Sequence, residues 1–196
     1  MDNLDSGAIE ELLSAVGAHL ESDGHSAAIV VVGGSTLALR GWVERTTQDV
    51  DVIAQAGPED GEGRRKLMAP KPFPPPLKAA IARVARDFGL PEDWMNTVVG
   101  VQWELGLPDW FVEELEWRRF GTLDVGLAGR QSLIALKLHA AVDRDSTSVH
   151  FQDLLALKPS EAELNRAAEW VLTQDAGKDF PRLVKEVVDH VRHRTG

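Results

Sequence analysis

Cysteine is absent from the 196 residues, which excludes disulfides, thiolate nucleophiles and sulfur-ligated metals and is compatible with a reducing compartment. No apolar run approaches the ~20 residues needed to cross a bilayer, and Met1-Asp2-Asn3-Leu4-Asp5 is acidic, with no apolar leader core. The chain is therefore expected to be soluble and cytoplasmic, with no membrane partner. Positive charge is also scarce: 21 Lys plus Arg stand against 31 Asp plus Glu, a formal net charge of -10. A field of that sign repels phosphate backbones, so any nucleic-acid contact must be confined to a local basic patch. Neither internal repeats nor a linker-like stretch occurs. With 43% hydrophobic residues, the expectation is one domain over 1–196, with a helical C-terminal portion over 130–196.

Periodicity supplies the elements. Ile9, Leu12, Leu13, Val16 and Leu20 recur at helical spacing behind a cap at Asp5 or Ser6. Ala27 to Val32 is a short β-branched run ended by Gly33-Gly34, after which Ser35 to Arg40 resumes with helix formers. A second strand begins near Gln48, with Val50 and Val52 on one face and Asp49, Asp51 and Ile53 on the other. Ala56 to Pro76 is rich in glycine and proline and predicts little regular structure, whereas Leu77 to Phe88 predicts a helix. The segment from Trp94 through Val101 fits no single element. Phe111 to Arg119 and Thr122 to Leu127 read as paired strands joined near Gly121, although the first also fits a helix. Beyond Leu133 the pattern is helical, with a capping box at Ser160 and Glu163. The fold class expected is α/β (α+β), a mixed sheet flanked by helices.

The sharpest local feature is Asp49-Val50-Asp51. Acids one residue apart on a strand point to one side, so both carboxylates can approach one divalent ion while the valine faces the core. Solvated strands also carry alternating acids, and a Gly-Gly pair is often only a tight turn. The combination is more specific than either part. Gly33-Gly34-Ser35 lies just before a helix and can offer backbone N–H groups to phosphate, so metal and phosphate would meet. The matching chemistry is in-line attack on a nucleoside triphosphate bound with Mg²⁺.

Val31 to Gly41, followed by Arg45-Thr46-Thr47-Gln48-Asp49-Val50-Asp51, resembles the DNA polymerase β-like nucleotidyltransferases, in particular the small bacterial proteins of the AbiEii toxin family. It is similar to their glycine element, short helix and strand-borne Asp-x-Asp. Leu133 to Lys137, Asp143-Arg144-Asp145 and Asp153-Leu154 are similar to the family's later lysine-bearing helix and arginine-aspartate region. The resemblance implies that Gly34 and Ser35, next to Gly33 of the same turn, contact phosphate and that Asp49 and Asp51 bind Mg²⁺ or Mn²⁺. It also implies that Lys137 reaches nucleotide phosphates. Arg45, on the approach to the acids, can neutralise phosphate, although a surface ion pair also accounts for it. The family's third carboxylate, which completes the metal site and activates the acceptor, corresponds best to Asp124, ahead of Glu104, Glu114 and Glu116.

The expected activity is transfer of a nucleoside monophosphate from an NTP to a hydroxyl of a protein, RNA or small molecule, with loss of pyrophosphate. The alternatives are a catalytically weak nucleotide-binding component of a toxin-antitoxin system, with an antitoxin partner, and an unrelated interaction protein. His139 and His150 lack metal-ligand spacing and read as structural or surface histidines. Trp94, Trp103, Trp110 and Trp117 read as core more readily than as a base-stacking row. Arg64-Arg65-Lys66 reads as a solvated loop cluster or a phosphate contact.

Overall fold

A computed structural model describes residues 4–142, 144 and 147–195. The chain is a mixed α/β protein divided into two compact units, Met1–Leu105 with Leu115–Ala128, and Gly106–Glu114 with Gly129–Gly196.

The first unit runs α1 (Ser6–Ser22), β1 (Ala27–Val32), α2 (Gly33–Leu39), β2 (Val50–Glu59), β3 (Arg65–Met68), α3 (Pro75–Asp87), β4 (Met95–Asn96), α4 (Val101–Leu105), β5 (Glu116–Phe120) and β6 (Leu123–Leu127). Sheet order is β3-β2-β1-β6-β5, with β4 also paired to β2. The β1–β6 and β2–β4 pairs are parallel and the others antiparallel. One sheet face, carrying Ile29, Val31, Val50, Val52, Leu123, Val125 and Leu127, forms a buried core with Ile9, Leu13 and Val16 of α1 and Leu77, Ile81 and Val84 of α3. Burying each such side chain contributes about 1.5–3 kcal/mol. Asp5 starts α1 by accepting from the Ala8 N–H at 2.8 Å.

The glycine- and proline-rich stretch departs from the expectation of little regular structure. β2 continues to Glu59, the turn at Asp60–Arg64 reverses the chain, and β3 pairs back with Gln55↔Met68 and Ala56↔Leu67. Gln55 then donates from Nε2 to the carbonyls of Ala69, Pro70 and Pro72 at 2.9–3.0 Å. Those acceptors are invisible to periodicity because they belong to a proline segment without a ladder of its own. The two strands expected to pair across Gly121 form as β5 and β6, but β5 begins only at Glu116 and residues 111–114 are turn, neither strand nor helix.

The second unit consists of α5 (Arg130–Ala141), α6 (Val149–Leu157), α7 (Glu161–Val171) and α8 (Phe180–Thr195), with α5 packed against the other three. Its interior holds Phe111, Leu133, Ile134, Leu138, Leu154, Leu164 and Val184. The Ser160–Glu163 capping box is present at α7. Glu114 closes the start of α5, accepting from the Ser132 N–H at 3.0 Å and hydroxyl at 2.8 Å. Among the described residues, no helix is long and apolar enough to cross a membrane.

Candidate functional site

β1 ends where α2 begins, and β2 returns antiparallel beside it, with Val32 opposite Asp51. Val50 and Val52 are fully buried in the core, so strand alternation turns Asp51 to the other face. On the far side of β2, Asp51 is opposite Asn96 of β4. Asn96 donates from Nδ2 to Asp49 Oδ2 at 3.0 Å. Because Asn96 shares a face with Asp51 and its amide reaches Asp49, the two carboxylates lie on one side of β2. Both residues are half-buried. Regular alternation stops soon after: Val30 is opposite Ala54 and Val31 is opposite Val52, which leaves Ile53 as the extra residue of a bulge.

The glycine pair meets this strand directly. Gly33 has φ +74°, and a Cβ there would stand 2.5 Å from Asp51 Oδ2, so only glycine fits both backbone and neighbour. A Cβ on Gly34 would stand 2.8 Å from Thr47 Oγ1 and 3.3 Å from Arg45 Nη2. Gly33, Gly34, Arg45 and Asp51, chosen from sequence, therefore converge. Arg45 also lines a half-open cavity of about 540 Å³ together with Asp5, Val43 and Glu44. Ser35 is brought alongside but buried, and its hydroxyl donates to the Val32 carbonyl at 3.1 Å. That hydroxyl serves the turn, not the cleft.

Asp124 does not join the pair. Its strand, β6, lies beside β1 and not beside β2, with Asp124 opposite Ala28. Ala28 is four residues along β1 from Val32, the neighbour of Asp51, a separation of about 13 Å at ~3.3 Å per residue. Its carboxylate accepts from Arg65 Nη2 at 2.7 Å and Arg119 Nε at 2.8 Å. The other acids considered for that role are also occupied: Glu104 faces Lys71 at 3.8 Å, Glu114 caps α5, and Glu116 pairs with Arg40 and Arg118. Lys137 belongs to the second unit, where its Nζ lies 2.7 Å from Asp153 Oδ2 and both side chains are buried. Asp143 and Asp145 lie outside the described residues.

Several weaker candidates have ordinary partners. Arg65 is ordered in β3, with its guanidinium 4.9 Å from the Trp117 ring centroid, so part of the basic run is spent within the sheet. Trp94 is core and donates to the Ile81 carbonyl. His139 packs edge-on against Trp170. Asn96 is the residue that sequence reasoning missed. Its strand is only two residues long, too short for alternation to register.

The donor set suits a hard divalent cation. Mg²⁺ is commonly held by one or two carboxylates while phosphate oxygens and water supply the remaining ligands. Asp49 and Asp51 provide those carboxylates, with Asp51 against Gly33 and the Arg45 guanidinium against the adjoining Gly34. Among the described residues, no three His, Cys, Asp or Glu side chains form a group able to hold a metal ion, so this is a two-acid arrangement. No protein-family model, curated protein or solved structure matches the chain.

Proposed function

We propose that this chain is a metal-dependent nucleotidyltransferase of the DNA polymerase β-like, AbiEii-related type. The observation supporting this reading is the meeting of Asp51 with Gly33, and of Arg45 with Gly34, beside Asp49. Mg²⁺ or Mn²⁺, when bound, would neutralise phosphate charge. Asp49 and Asp51 would hold that ion, the glycines let Asp51 and Arg45 approach the start of α2 closely, and Arg45 would balance the remaining charge of the triphosphate. The acceptor hydroxyl oxygen would bond to the α-phosphorus and lose its proton to water as the α–β anhydride bond breaks and pyrophosphate departs. A protein, RNA or small-molecule hydroxyl satisfies this chemistry, and a cytoplasmic setting belongs to the same reading.

A second reading, nucleotide binding without transfer in a toxin-antitoxin complex with an antitoxin partner, is favoured by Asn96. An amide flanks Asp51 where an acid would extend the metal site. Titration with Mg²⁺-NTP and incubation with α-labelled NTPs plus cell extract separate the two. The Asp49→Asn, Asp51→Asn variant is expected to bind Mg²⁺-NTP at least about tenfold more weakly and to transfer no label. Wild-type affinity in that folded variant would remove the pair from the site. Wild-type binding without label transfer would select the second reading.

A further inference from the structure

Asn96 is held from two sides. Its Oδ1 accepts from the Val98 N–H at 2.9 Å, and its Nδ2 donates to Asp49 Oδ2 at 3.0 Å. A backbone N–H can only donate, so the amide oxygen must face Val98 and the NH₂ must face Asp49. One Asp49 oxygen is thus engaged by a neutral donor belonging to the strand that also flanks Asp51. A carboxylate at position 96 would bring negative charge to the same distance, and the three acids would repel unless a cation lay among them.

We propose that Asn96 is the positioning residue of this site and sets its order of loading. It keeps Asp49 aligned when no cation is present, but adds no charge that would make the site a strong chelator. The divalent ion therefore enters with the triphosphate, whose oxygens complete its ligand shell. This inference rests on the nucleotide reading above. Asn96 touches neither phosphate nor acceptor in this role and acts through Asp49.

Mn²⁺ alone is the first probe, with the free-ion electron paramagnetic resonance signal titrated against the full chain. Wild type is expected to hold Mn²⁺ only near the millimolar range and to bind at least about tenfold tighter when a non-hydrolysable NTP analogue is added. Asn96→Asp is expected to bind Mn²⁺ alone about 10–100-fold tighter than wild type. Adding Asp49→Asn should cancel that gain, an effect that a purely structural role for Asn96 would not produce. Asn96→Ala, folded by circular dichroism, should lose about tenfold in affinity for Mn²⁺ with the analogue. Micromolar binding of Mn²⁺ alone by wild type would overturn ordered loading while leaving the nucleotide reading intact. An Asn96→Asp variant that folds but gains no Mn²⁺ affinity would overturn the positioning of Asn96. Should that variant not fold, unchanged affinity in Asn96→Ala would do so. Failure of wild type to bind Mn²⁺ with any NTP analogue would remove the nucleotide reading, and ordered loading with it.

Discussion

Glu116 accepts from Arg118 Nε at 2.8 Å and lies against the Arg40 guanidinium. The hydrogen bond from Arg118, reinforced by the charges of Arg40 and Arg118, holds its carboxyl below the ordinary glutamate value despite partial burial. A depressed folded-state pKa means that the ionised group favours the fold. That contribution is complete above the unfolded-state value and is lost as pH falls through the lower folded-state value. Glu116→Gln should therefore destabilise the protein at neutral pH, and the difference from wild type should shrink as pH drops beneath the usual carboxylate range. The side chain is 43% exposed, so solvent screening limits the effect to about 1 kcal/mol. Urea unfolding at neutral and acid pH measures it, and an equal difference at both would refute the ion-pair origin. Arg40 also donates to the Leu127 carbonyl at 3.1 Å, so this cluster ties the end of α2 to β5 and β6 next to the glycine-bearing turn.

Helix α1 lies close against the β5–β6 turn. The Thr122 hydroxyl donates to the Gly17 carbonyl at 3.1 Å, and a Cβ on Gly17 would fall 1.8 Å from the Phe120 carbonyl oxygen. Alanine ordinarily stabilises a helix interior by about 0.5–1 kcal/mol relative to glycine. Here contact with the main chain reverses the sign. Gly17→Ala is expected to cost at least about 1–3 kcal/mol, since neither backbone can move without disturbing the sheet. Thermal unfolding checks this, and any stabilisation would show that α1 does not lie against that turn.

At the scale of the whole molecule, each unit has its own interior, and the interior of the helical unit contains an ion pair. It is the Lys137–Asp153 pair, with side chains 7% and 1% exposed. Removing one partner from a buried pair leaves a charge without compensation, whereas replacing both with apolar groups is often tolerated. Asp153→Ala is expected to lower stability by about 3–5 kcal/mol, and Lys137→Met with Asp153→Leu by much less. Denaturant unfolding followed by far-ultraviolet circular dichroism tests the contrast. Equal losses in the two variants would mean that packing volume, not charge compensation, is what the pair supplies.

Sequence alone determined the strand–glycine–helix unit at Ala27 to Leu39, the alternation of Asp49, Val50 and Asp51, and the helical run beyond Leu133. These follow from local rules: burial every second or every third to fourth residue, glycine where no Cβ fits, and serine or aspartate at helix starts. The sequence suggested that Gly33 and Asp51 share a cleft only through the ligand chemistry of their motifs; the β1–β2 pairing that brings them together is tertiary. Only tertiary structure decided which strand lies next to which. Asp124 has the same local signature as Asp51, an acid between buried apolar residues, yet β6 pairs with β1 and Arg65 and Arg119 take its carboxylate. Asn96 shows the converse. Its two-residue strand has no readable period, and its place beside Asp49 and Asp51 arises from pairing with β2 and from a Val98 N–H that fixes the direction of its amide. Local sequence specifies the faces of an element, whereas strand order and long-range hydrogen bonds depend on contacts between residues distant along the chain.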